Sequence, residues 1–386
     1  MNLKNCNAEN FIKQLSGKKI ICFGAGSTLI EADFEVKKIN DLENHIAFFV
    51  DNDTKKHGMK FEYCNHIYDI KNVNVLKNVN QEEYVLLITC AFYVEIYKQL
   101  KTIPEISDLD CYMYNVVCSY PELDVKGFFE KEIQKKPYKE WKSVLNHLNL
   151  KDIHKGKRCF IIGNGPSLKA EDLDKLKGEI TFAANRIFKI FPRTDWRPTY
   201  YICIDYLMYG IDYKEINHID SKLRFVPLER ALAAGEIYDE VTYYNRVVNC
   251  VDIKDGKIVR GKEFAFSDNI EDVVYGGQTV LFDAIQIAAY MGFSEIYLLG
   301  VDCGYKLEVL ENGSIVENNI EKNHFDDSYD EGLEGKIAVV GTLYATRLAF
   351  EKAKESCEKK GIIIRNATRG GKLEIFQRVS LEDVVD

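Results

Sequence analysis

The chain has 386 residues, 46% hydrophobic and 29% charged, a globular profile too long for one ordinary core, so two domains of unequal size are expected. A formal net charge of −9 argues against a nucleic-acid partner, because wrapping a phosphate backbone needs clustered Lys and Arg. No apolar run reaches the roughly 18–20 residues of a membrane span, the N-terminus lacks the apolar core of a signal peptide, and the 11 scattered cysteines read as reduced, mostly buried thiols of a cytoplasmic protein.

The first unit is expected over 1–117. The apolar run 18–23 ends in Gly24-Ala25-Gly26-Ser27, the run 46–50 is closed by Asp51, and the run 84–89 precedes helical spacing through Tyr93, Ile96, Tyr97 and Leu100. Buried strands alternating with helices imply a parallel sheet with covered faces, here a small Rossmann-like unit. Gly24 and Gly26 match a dinucleotide turn in part, and Asp51 stands where a ribose-binding acid would. A docking or assembly role is the stronger reading, with a bound nucleotide as the alternative. Residues 118–156 are charged and helix-friendly, with Trp141, Val144, Leu145 and Leu148 at helical spacing. They read as a helical connector.

The second and larger domain, 157–386, opens with the run 158–162. Strand-like runs recur at 180–184, 200–204, 295–299 and 361–364. Helices are predicted over 279–291 and 343–359. The fold class is therefore α/β, two Rossmann-like domains with the ligand site in the larger one.

Its first strand runs into Gly163-Asn164-Gly165-Pro166-Ser167. Glycines allow close backbone approach there, Pro166 suits a helix start and Ser167 can cap its amides. A turn with exposed N–H groups at the carboxyl end of a first strand is where an open α/β sheet holds a nucleotide; a plain strand-to-helix turn is the alternative. Asn185 and Asp205 follow the next two strands, on the same rim, as ligand contacts or helix caps. Gly276-Gly277-Gln278-Thr279 offers an anion-friendly helix end at Gly277 and Thr279, or a flexible entry to a buried helix. Asp302 and Tyr305 tip a later strand, and Asn366-Ala367-Thr368-Arg369-Gly370-Gly371 follows the last. His324 lies in a polar segment of about 25 residues, a length often found in lids. It is one of two histidines after residue 160, beside His218. Histidine titrates near neutrality and suits a general base. The acidic residues near it match no standard metal-ligand spacing.

Together, Ile-Ile-Gly-Asn-Gly-Pro-Ser-Leu (161–168), Ala-Asn-Arg (184–186), Gly-Gly-Gln-Thr with its helix (276–291), Glu-Ile-Tyr-Leu-Leu-Gly-Val-Asp (295–302) and Asn-Ala-Thr-Arg-Gly-Gly (366–371) resemble one superfamily. It contains CMP-sialic acid-dependent bacterial sialyltransferases, motility accessory factor proteins and archaeal hydroxymethyl-dihydropterin pyrophosphokinases. The resemblance spans about 158–386. It implies a CMP site at Asn164, Gly165, Ser167 and Asn185, with Tyr305 at the leaving phosphate; the residues' own placement adds Gly163, Asp205, Gly277, Thr279 and Asp302 as candidate nucleotide contacts. The family's base is a histidine ahead of the last long helix. Its spacing lands near Gly341-Thr342, where there is none, so either the lid is rearranged and His324 serves or the base is another residue.

The implied activity is metal-independent transfer of a nonulosonate or Kdo-like sugar from a CMP-sugar donor to a surface-glycan acceptor. No cofactor and no metal are expected. A homo-oligomer without a membrane span is expected, with peripheral membrane association left open. The alternatives are ATP-dependent diphosphate transfer to a pterin alcohol, with Asp205 and Asp302 on Mg²⁺, and a non-catalytic nucleotide-binding scaffold.

Overall fold

The computed structural model describes residues 1–26, 29, 39–90, 93–114, 117, 124–128, 148–230, 238–248, 251–254, 257–260, 264–309, 315–319, 322–332, 340–341 and 343–385. The chain forms two compact units. The first holds Met1–Trp141, Ala231–Glu236 and Val247–Glu263. The second holds Lys142–Arg230, Ile237–Arg246 and Phe264–Asp386.

In the first unit, strands β1 (Asn2–Leu3), β2 (Lys19–Phe23), β3 (Ile46–Asp51), β4 (Lys60–Tyr63), β5 (His66–Asn72), β6 (Tyr84–Ile88) and β7 (Asp110–Met113) are ordered β1-β7-β6-β2-β3-β5-β4. All neighbours are parallel except the β4–β5 hairpin. Ile20, Ile21, Cys22 and Phe23 are all buried. Both faces of β2 are covered, which is why its sequence runs continuously apolar instead of alternating.

The second unit begins with β8 (Arg158–Ile162), β9 (Thr181–Ala184), β10 (Tyr200–Ile202), β11 (Leu223–Pro227) and β12 (Val241–Tyr244). The chain then passes through β13 (Arg246–Val248) into a hairpin, β14 (Val251–Lys254) and β15 (Lys257–Arg260). In this hairpin β15 pairs in parallel with β4, so it extends the first unit's sheet. The expected continuous domain over 157–386 is thus interrupted. Strand β16 (Val274–Gly276) leads to the helix Val280–Tyr290, which is buried all round, with Asp283 and Gln286 included. Gln286 can be buried because its amide bonds Ser267 N, Tyr275 N and Tyr275 O.

Next come β17 (Glu295–Leu299), a small sheet of β18 (Leu307–Val309), β19 (Ile315–Glu317) and β20 (Val340–Gly341), the helix Leu343–Lys359, β21 (Ile363–Asn366) and β22 (Gln377–Arg378). The small sheet lies within the stretch that reads as a loop in sequence. The main sheet is ordered β12-β11-β10-β9-β8-β17-β21-β22, parallel throughout. Strand order reverses at β8 and β17, the switch point where open α/β sheets bind ligands.

Of the expected helical connector, Val125–Phe128 is a single helical turn and residues 129–147, with Trp141, Val144 and Leu145, lie outside the described residues. Residues 148–156 are turns, not helix. They bond the end of the 280–290 helix through Asp152 N to Tyr290 O, His154 N to Met291 O and Gly156 N to Gly292 O.

Candidate ligand and acid–base site

Ile162 is in register with Ala183 and Leu299, so the loops after β8, β9 and β17 share one rim. The glycines of the Gly163–Ser167 turn are explained by the neighbouring turn. A Cβ on Gly163 would meet Gly300 O at 2.5 Å, and one on Gly165 would meet Asp302 Oδ2 at 1.9 Å. Gly163 N donates to Leu299 O at 2.8 Å and Gly165 N to Gly300 O at 2.9 Å. Ser167 Oγ donates to Asp302 Oδ2 at 2.7 Å, with Ser167 N at 3.4 Å from the same oxygen. The expectation of a turn with exposed amides is therefore corrected. The N–H groups of Gly163, Gly165 and Ser167 are held by the chain itself, and Ser167 serves Asp302, not its own helix. Burial raises the Asp302 carboxyl above its ordinary value, and the Ser167 bonds oppose that rise.

Beneath the rim lie two buried acceptors without a protein partner. Asn164 donates through Nδ2 to Ala184 O at 2.9 Å, while its Oδ1 is buried with no partner. Asn185 Oδ1 is likewise buried and unpartnered. Asn185 also takes a left-handed φ of 47°, a conformation that asparagine tolerates better than most residues, and its carbonyl accepts from Tyr201 Oη at 2.6 Å. A buried polar atom with no partner costs stability, and these two lie at one strand-end rim.

His324 lies at this turn. Phe325 N donates to Asn164 O at 3.1 Å. The His324 ring stacks on Tyr329 with centroids 3.8 Å apart, and its Nε2 is 3.6 Å from Asp330 Oδ1. Desolvation, first, and the Arg186 charge lower its pKa, against Asp330 and the Asn164 carbonyl, which favour the cation. The ring is thus biased towards the neutral form that a general base requires.

Other expected site residues have structural work. Asp205 Oδ1 caps the helix Tyr206–Asn217 through Met208 N at 2.8 Å, and its charge reaches Tyr329. Thr279 caps the 280–290 helix. A Cβ on Gly277 would lie 2.5 Å from Phe282 Cδ1 and 2.8 Å from Ala349 Cβ, so this glycine permits helix packing. The Tyr305 carbonyl accepts from Asn318 Nδ2 at 3.0 Å. In the last motif Thr368 Oγ1 accepts from Val301 N at 3.0 Å, and Arg369 pairs with Asp172. Tyr329 and Asp330, which the sequence reading did not single out, stand against His324, and Arg186 bonds the carbonyls of Tyr329 and Glu331; the acidic run 326–331 opposite basic residues at 186, 189 and 193 was a readable signal.

Residues 132–308 match the family described as 6-hydroxymethylpterin diphosphokinase MptE-like. The matched residues include four of the five motifs on which the resemblance rests, the fifth (366–371) lying beyond them. No curated protein matches it in sequence. Among solved structures it is similar to the MAf glycosyltransferase from Magnetospirillum magneticum AMB-1, at 13% identity and a TM-score of 0.37, over 95% of this chain and 58% of that one. The chain therefore spans under two thirds of that protein. It is also similar to the sialyltransferase CstII from Campylobacter jejuni, solved with the substrate analogue cytidine-5'-monophosphate, at 15% identity and a TM-score of 0.34, over 58% of this chain and 86% of that one.

Among the described residues no helix is long and apolar enough to cross a membrane. Nor do three or more His, Cys, Asp or Glu side chains converge as a metal would need.

Proposed function

We propose that the second unit transfers an acidic sugar from a CMP-activated donor to a glycan hydroxyl. The observation that carries this reading is the pairing of two orphaned acceptors, Asn164 Oδ1 and Asn185 Oδ1, with a neutral-biased histidine at the same turn. Acceptors select donors. A nucleoside offers them in its exocyclic amine and ribose hydroxyls, whereas a phosphate offers none. The turn then holds the nucleoside end of the donor, and Tyr305 is the residue proposed for its phosphate. Gly277 and Thr279 belong to this reading as the shape of the neighbouring helix start, and Asp205 and Asp302 as supports of the rim.

In the reaction His324 accepts the proton of the acceptor hydroxyl as its oxygen bonds to the anomeric carbon. The bond from that carbon to the CMP phosphate oxygen breaks with its electron pair, and CMP leaves. Asp330 faces the ring and balances the imidazolium, as the third member of an acid–base constellation does.

The MptE-like match favours a second reading, diphosphate transfer to a pterin alcohol. That chemistry draws on Mg²⁺ bridging phosphates, with Asp205 and Asp302 as ligands. The described residues fit the ion poorly, since no three His, Cys, Asp or Glu side chains among them converge on one point, and Asp205 Oδ1 caps a helix while Asp302 Oδ2 accepts from Ser167.

Calorimetry with CMP and with ATP, each with and without Mg²⁺, separates the two. Metal-independent binding of CMP that Asn164→Ala and Asn185→Ala weaken supports glycosyl transfer. Binding of ATP only with Mg²⁺, and none of CMP, overturns it.

A further inference from the structure

We infer that Arg186 is a positioning residue that clamps the 324–331 segment and thereby fixes His324 at the ligand turn. This rests on the reading of His324 as base. Arg186 is 1% exposed, which for a guanidinium requires that its donors be met. Its Nε donates to Asp212 Oδ2 at 2.6 Å. Its Nη1 donates to the carbonyls of both Tyr329 and Glu331, the latter at 2.8 Å. These two carbonyls lie on either side of Asp330, the carboxylate that faces His324. One buried fork therefore holds the backbone that carries Asp330 and the Tyr329 ring, the two groups against which the imidazole is seated.

The neighbours of Arg186 repeat the pattern more weakly. Lys189 Nζ donates to Ser328 Oγ at 3.1 Å. Arg193 Nη2 donates to Asp326 Oδ2 at 3.0 Å and its guanidinium lies 5.5 Å from the Phe325 ring centroid. Arg193 is half exposed, and such pairs contribute little. Arg186 is the anchor and the other two guide the segment. Asn185 and Arg186 are consecutive, so the residue that offers a ligand acceptor and the residue that holds the base segment move together.

Lysine cannot substitute here, because one ammonium lacks the planar fork that spans a carboxylate and two carbonyls. The test uses the full chain as wild type, Arg186→Lys and Asp212→Asn. Two readouts need no activity: amide hydrogen exchange over residues 322–332 and the NMR titration of His324. Turnover against pH with a CMP-sugar donor is the third. The charged and titratable groups around the ring are Asp330, Tyr329 and Arg186.

With Arg186→Lys, exchange over 322–332 should rise about tenfold or more, and the His324 midpoint should move up towards the ordinary value near 6.5. Turnover should fall while the KM for donor changes less, and the ascending limb of the pH–rate profile should move to higher pH. Asp212→Asn keeps the contacts to Tyr329 O and Glu331 O and should change each readout less. Wild-type exchange and titration in Arg186→Lys would overturn the inference. Equal losses in both variants would also overturn it, since Arg186 would then act only through its pair with Asp212. Release of the segment with a moved midpoint, but with unaltered turnover, would uphold the clamp and refute His324 as base.

Discussion

The two units each place a glycine turn after a first central strand and an aspartate close by, and they use them differently. In the first unit Asp51 is spent on its own turn. Its Oδ2 accepts from Ala25 N at 2.9 Å and from Lys56 Nζ at 3.1 Å, and its Oδ1 accepts from Asp53 N at 2.9 Å. Lys56 also bonds Ala25 O at 3.0 Å. Three of the roughly four acceptor positions of the acid that a dinucleotide's ribose would need are already taken. In the second unit Asp302 likewise holds its turn through Ser167, but Asn164 and Asn185 keep unpartnered oxygens. A glycine turn at a strand end is thus not itself evidence of a ligand.

The sharpest way to break this contrast is at the base. His324→Ala should lower turnover by about 10²–10⁴-fold, with CMP affinity nearly intact. Turnover at the wild-type rate would place the base elsewhere. Next in size is Gly165→Ala. Its new Cβ would overlap Asp302 Oδ2, so a loss of about 1–3 kcal/mol from overpacking is expected in denaturant unfolding, together with lost nucleotide binding. Gly26→Ala in the first unit meets nothing within 4 Å and should leave both unchanged. Asn164→Ala should weaken CMP by about tenfold, equivalent to roughly 1.4 kcal/mol, whereas Asp51→Asn should leave CMP binding as it is and act on stability alone.

The smallest effect concerns pH. The His324 pKa is lowered in the folded chain, so between that value and its unfolded value of about 6.5 the unfolded chain binds more protons. The contribution of neutral His324 to stability is complete above about pH 6.5 and is lost as pH falls through the folded value. Exchange over 322–332 should accordingly rise on acidification, and less so in His324→Ala.

Much of the central sheet was legible because its strands are buried on both faces and read as unbroken apolar runs. β8 and β17 coincide with the runs at 158–162 and 295–299, and the helix Leu343–Lys359 with its amphipathic spacing. The hairpin of β14 and β15 was not legible: Val-Asp-Ile-Lys and Lys-Ile-Val-Arg are short and half charged, and their place is set by pairing with β4, far away in sequence. Residue type singled out the turn, Asn185 and His324, and the structure brings them to one strand-end rim. The clamp did not announce itself, because Arg186 meets carbonyls 143 and 145 residues later, and any residue supplies a carbonyl. The sequence also could not show that the amides of the turn are already bonded, since that depends on how closely the Gly300–Asp302 turn approaches.

The most direct measurement of the central claim, that unmet acceptors and not free amides define the ligand end, is calorimetric titration of the full chain without Mg²⁺ using CMP, cytidine and inorganic phosphate in parallel. The expected result is that CMP and cytidine bind, that Asn164→Ala and Asn185→Ala weaken both, and that phosphate alone gives no heat. Binding of phosphate that survives both substitutions, with none for cytidine, would contradict it.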